Sequence, residues 1–128
     1  MTIDGLAHFG VGPFQVFHLN GETCRDLKFR SGPGDFDIIA CFAKQGGMAV
    51  EIMQPFSGQS LMQEYLDRNG DKPGLQHVAW GMGDGMNTEQ RIQVMADRNI
   101  EVGMQGTWIG KKGTCKVRIR TASDNLLS

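Results

Sequence analysis

Val50-Glu51-Ile52-Met53-Gln54-Pro55 and, further along, Gly74-Leu75-Gln76-His77-Val78-Ala79-Trp80 are the stretches on which the fold of this chain turns. Each is a short run rich in apolar residues that predicts a β-strand, and each holds one side chain able to bind a metal. A carboxylate or an imidazole in such a setting needs a partner, because stripping its water without compensation is expensive. A shared divalent metal would satisfy both.

Strand alternation fixes the neighbours each residue keeps. Ala49, Glu51 and Met53 fall on one face, and Leu75, His77 and Ala79 fall on one face of the later run. Small side chains at Ala49 and Ala79 leave room for a ligand. Oxygen and nitrogen donors of this kind suit zinc, iron, manganese, cobalt or nickel without choosing between them. The plainer reading is a surface glutamate and a hydrogen-bonded core histidine, since protein metal sites normally use three or four ligands.

Outward from Glu51, Asp37 to Ala43 reads as a strand, Gly46-Gly47 as a hairpin turn, and Met48 to Gln54 as its antiparallel partner, ended by Pro55. Ser57-Gly58-Gln59-Ser60 offers a serine N-cap to a helix whose Leu61, Met62, Tyr65 and Leu66 recur at helical spacing before Gly70. Upstream, Gly10-Val11-Gly12-Pro13 predicts a turn, Phe14 to Leu19 a strand, and Asp26 to Gly34 a loop. Downstream, a strand is expected over Leu75 to Met82. Asn87 and Gln90 then stand at capping-box spacing before a helix with Ile92, Met95 and Ala96 on one face. A strand over Ile100 to Met104, a glycine-punctuated loop from Gly106 to Gly113 containing Trp108, and a last strand over Cys115 to Thr121 complete the pattern. The tail from Ala122 is expected to fray. Runs of strands with single helices indicate an α+β fold with a largely antiparallel sheet.

Length and composition fit this picture. The chain has 128 residues, which suits a single domain over 1–128 with a real core. Apolar residues make up 40% and charged residues 21%, placing it among globular rather than disordered chains. A net charge of -1 with interspersed signs gives no footprint for nucleic acid or an anionic membrane. No apolar run approaches the roughly 18 residues a membrane span needs, and Met1 to Gly5 shows no secretory signal. Cys24, Cys41 and Cys115 contain no CxxC pair, so free thiols in a reducing compartment, and hence a cytoplasmic location, are expected. Nothing beside any of them marks a catalytic thiolate.

Val50 to Pro55, the helix ending Tyr65-Leu66-Asp67-Arg68-Asn69-Gly70, and Gly74 to Trp80 together resemble the vicinal oxygen chelate (glyoxalase/bleomycin resistance/dioxygenase) superfamily, in its methylmalonyl-CoA epimerase-like or glyoxalase-like branch. The resemblance implies paired βαβββ modules forming a cupped, mostly antiparallel sheet around a divalent metal. Glu51 stands where that family has the ligand ending its first module, and His77 where it has the histidine opening its second. The family's first strand, with a histidine ligand, and the helix after it are not evident before Gly10. His8 and His18 are poor substitutes. The family's closing glutamate is also missing, since none follows Glu101. A member incomplete at both ends is therefore expected.

The implied activity is that of a metal-dependent isomerase, epimerase or lyase acting through an enolate-like intermediate on a carbonyl or acyl-thioester small molecule. Glu51 would serve as ligand or as the base that removes a proton beside the carbonyl. The alternative is a non-catalytic small-molecule-binding module or an inactive truncated member, whose open sheet edges would favour a homodimer.

Overall fold

A computed structural model describes residues 2–79 and 85–109, with the backbone of 115–119. Ten elements run in the order α1 (Thr2–His8), β1 (Gln15–Leu19), β2 (Cys24–Phe29), β3 (Gly32–Pro33), β4 (Asp37–Gln45), β5 (Met48–Ser57), α2 (Leu61–Arg68), α3 (Thr88–Asp97), β6 (Met104–Trp108) and β7 (Cys115–Ile119). They form an α+β fold with two antiparallel sheets, β1-β4-β5 and β3-β2-β6-β7. The second sheet joins strands from both halves of the chain.

The β4–β5 hairpin is the frame. Its register sets Phe42 opposite Glu51 and Ala40 opposite Met53, while Gly46 takes the left-handed conformation in the turn. Ile38 and Ala40 are fully buried, and the core continues through Leu19, Cys24, Phe36, Leu61, Met62 and Met104. It therefore lies between the two sheets and the start of α2. Ser60 caps α2 by accepting a hydrogen bond from the Gln63 amide at 3.1 Å. The Leu61 amide is satisfied by the Met104 sulfur at 3.2 Å. Asn87 and Gln90 form the expected capping box on α3.

Several expectations change. A helix, α1, does precede Gly10. It buries no residue, so no apolar stripe announces it, yet Gly10 and Val11 close it with bonds to the Ala7 and Leu6 carbonyls. The polar stretch from Asp26 is no loop: β2 and β3 form a hairpin there. A bulge between Arg25 and Lys28 breaks the alternation that would have revealed it. Pro55 does not end its strand, because among the described residues β5 lies at the edge of its sheet, where a missing N–H interrupts no ladder. Trp108 lies in β6 rather than in a loop, and Ile100 instead donates its amide to the Met95 carbonyl at the end of α3. Gly106 sits within β6 because Leu27 of β2 packs against it; a Cβ there would stand 2.8 Å from the Leu27 side chain. Leu75 to Ala79 forms no strand. The expected strand at 80–82, the loop at 110–113 and the tail at 122–128 lie outside the described residues, as do the side chains of Val117 and Ile119.

Candidate metal centre

Glu51 stands in the middle of β5, and alternation puts it on the face that also carries Phe42, Ala40, Phe17 and Met53. This is the face turned toward the core. Phe17 meets Phe42 edge-on at 5.7 Å and Trp108 of the second sheet at 5.8 Å. An aromatic wall thus runs beside the carboxylate. Alternation along Gln15-Val16-Phe17 and Ala40-Cys41-Phe42 carries the signal for the two phenylalanines. The signal for Trp108 was hidden by the glycine at 106.

His77 reaches this face from the segment after α2. Its Nε2 lies 3.1 Å from Glu51 Oε2, across 26 residues of sequence. About a quarter of each side chain is exposed, so both are open to a small ion or ligand. The Gln76 side-chain oxygen lies against His77 Nδ1. With the proton on Nδ1 donated to Gln76, the Nε2 lone pair faces a carboxylate oxygen. In that tautomer two lone pairs oppose each other and a cation would join them; in the other, Nε2–H donates to Glu51 in an ordinary hydrogen bond.

The spacing itself suits a cation. Two donors about 2.0–2.1 Å from one metal stand roughly 2.9 Å apart at a right angle and roughly 3.3 Å apart at the tetrahedral angle. The observed 3.1 Å falls between these values. The same distance is that of an ordinary N–H···O hydrogen bond, so Glu51 and His77 form a hydrogen-bonded pair whose spacing would also admit two adjacent coordination positions. Among the described residues no third histidine, cysteine or carboxylate joins them. His18 is on the opposite face of β1, paired with Ile39, and is exposed. His8 is exposed at the end of α1, with Nδ1 2.9 Å from the Asp4 carbonyl. Cys24 is buried, and burial pushes its thiol up, the reverse of what a nucleophile needs.

Residues 3–117 match the Glyoxalase/Bleomycin resistance protein/Dioxygenase superfamily. The chain belongs to that superfamily. Its two antiparallel sheets and three helices agree with the glyoxalase-like fold. No curated protein and no solved structure matches the chain. Superfamily membership is compatible with metal-dependent isomerase or lyase chemistry, and members often use divalent metals. Among the described residues, no helix is long and apolar enough to cross a membrane.

Proposed function

We propose that this chain is a metal-dependent isomerase, epimerase or lyase of the methylmalonyl-CoA epimerase-like or glyoxalase-like branch, acting as one domain on a carbonyl or acyl-thioester small molecule. The observation that carries the reading is the 3.1 Å approach of His77 Nε2 to Glu51 Oε2 beside an aromatic wall. Glu51 and His77 would hold a divalent cation, whose Lewis acidity stabilises negative charge developing on a substrate carbonyl oxygen. Gln76 orients the imidazole and keeps Nε2 free to ligate, the role outer-sphere partners play around bound histidines. Phe17, Phe42 and Trp108 offer an apolar surface to the carbon skeleton of the substrate and thin out water near the carboxylate. Where other groups complete the coordination, Glu51 would instead serve as the base that accepts a proton from the substrate.

Metal content of the purified chain tests this directly, measured beside Glu51→Ala and His77→Ala. Near-stoichiometric zinc, iron, manganese, cobalt or nickel in the parent, lost in both variants, is the expected result. A parent that binds none of these ions, even when each is supplied, would leave a metal-free small-molecule-binding module as the reading to pursue.

A further inference from the structure

We propose that Tyr65, acting through Gly74, is a positioning residue of the metal centre: its hydroxyl is the stop that sets where His77 meets Glu51. This role rests on the metal reading above and extends it to a residue outside the Glu51–His77 pair. Little else places His77. Leu75 to Ala79 forms no strand, and Leu75 and Val78 are strongly exposed. The imidazole is therefore located by its hydrogen bond to Glu51 and by the path the chain takes on leaving α2. Gly74 precedes His77 by three residues, at most about 11 Å of extended chain. A shift at Gly74 reaches the imidazole with little slack.

That path is closely defined. The Asn69 amide bonds the Tyr65 and Leu66 carbonyls, and the Asp71 amide bonds the Leu66 carbonyl at 2.9 Å, which closes the helix. Gly70 and Asp71 both take the left-handed conformation, with φ of 63° and 58°, and this turns the chain back along α2. The Asn69 side-chain amide donates to the Lys72 carbonyl at 2.8 Å and pins the turn. Gly74 then comes to rest on Tyr65. A Cβ at this position would overlap the Tyr65 hydroxyl oxygen, and it would lie 3.4 Å from the ring carbon that bears it and 3.7 Å from Asn69 Nδ2. Glycine is required there by the closeness of the approach, since its φ is outside the left-handed range. The stop is itself firmly mounted. Leu61 and Met62 anchor α2 in the core, and Glu64, next to Tyr65, is held by Arg30 at 2.8 Å. Position is thus passed from the core to α2, from Tyr65 to Gly74, and so to His77.

The test compares the full chain with Gly74→Ala and with Gly74→Ala combined with Tyr65→Phe. The first puts a methyl group where the hydroxyl stands. The second removes the hydroxyl, so that the methyl takes its space and the stop is rebuilt from the other side. In a cobalt(II) chloride titration, Gly74→Ala should bind about tenfold more weakly, as when an outer partner of a ligating histidine is lost. The double variant should recover most of that loss. Ring-nitrogen NMR signals of His77, read without metal at one fixed pH, give a second readout. Glu51→Ala supplies the signal of an imidazole out of contact with residue 51. Gly74→Ala should move toward that signal, and the double variant should return to the parent's. Urea midpoints of the metal-free chains should all agree. Parent-like cobalt binding and ring signals in Gly74→Ala, or no recovery in the double variant, would overturn the positioning role and leave the metal reading standing. So would a fall in the Gly74→Ala urea midpoint that the double variant does not reverse, since that marks a general loss of structure. No cobalt bound by the parent would remove the metal reading, and the ring signals would then decide by themselves whether Tyr65 places His77 against Glu51.

Discussion

The β4–β5 hairpin and the segment 75–79 each supply half of the candidate centre, and they are held in very different ways. The hairpin pairs along its whole length and contributes Ile38, Ala40, Cys41 and Ala43, all buried. The segment has no strand pairing, and Leu75 and Val78 are 80% and 61% exposed. Glu51 is thus fixed by the fold, while among the described residues the hydrogen bond that ties His77 to the sheet is the one to Glu51. A site built from one rigid and one lightly held half is ordered by whatever binds between them. The free energy of binding there orders the weaker half, and the sheet loses little when that half is altered.

The largest effect should come from breaking the rigid half. Ile38 is completely buried where both sheets meet, so Ile38→Ala should cost about 2–5 kcal/mol of stability through lost burial and an unfilled cavity. Urea unfolding followed by circular dichroism measures this. A cost under about 1 kcal/mol would mean the hairpin is not the frame. Gly58→Ala should follow at roughly 1–3 kcal/mol. Gly58 has φ of +75°, and a Cβ there would lie 2.6 Å from the Asp35 carbonyl oxygen. That clash falls where β5 ends and the bulge opposite Asp37 lets the chain turn toward α2.

The same contrast governs what can be read from the sequence. The hairpin, its glycine turn, the Ser60 cap and the Asn87–Gln90 box were legible because each rests on local chemistry that tertiary contacts reinforce. Glu51 and His77 stood out because a carboxylate and an imidazole sit oddly within apolar runs. Trp108, Phe17 and Phe42 were not connected to them, since the contact between the sheets joins residues far apart in the chain. Helix α1 was hidden because it buries nothing. The hairpin of β2 and β3 was hidden because the bulge at Asp26, with φ of 53°, disrupts a period of two. Leu75 to Ala79 misled in the other direction: its apolar residues suggest a strand, yet most of them face solvent.

His77→Ala sharpens the comparison at an intermediate level. Removing the imidazole should abolish metal retention while costing the metal-free chain only about 1 kcal/mol for the hydrogen bond lost to Glu51, well under the cost of Ile38→Ala. A matched pair of measurements, bound metal by elemental analysis and urea unfolding after chelation, separates the two effects. Loss of stability equal to that from Ile38→Ala would mean that 75–79 belongs to the cooperative core.

The smallest effect is expected at Leu75, where 80% exposure leaves little apolar surface to lose. Leu75→Ser should leave urea unfolding of the metal-free chain unchanged within about 0.5 kcal/mol. Amide exchange gives the finer reading, because a lightly held segment opens without unfolding the sheet. In the metal-free chain the 75–79 amides should exchange far faster than those of Ile38 to Ala43, in parent and variant alike. With metal bound, the 75–79 amides should slow, and the Ile38 to Ala43 amides should change much less. Equal protection of both regions in the metal-free chain would erase the distinction between them, and His77 would then count as a residue the fold itself fixes.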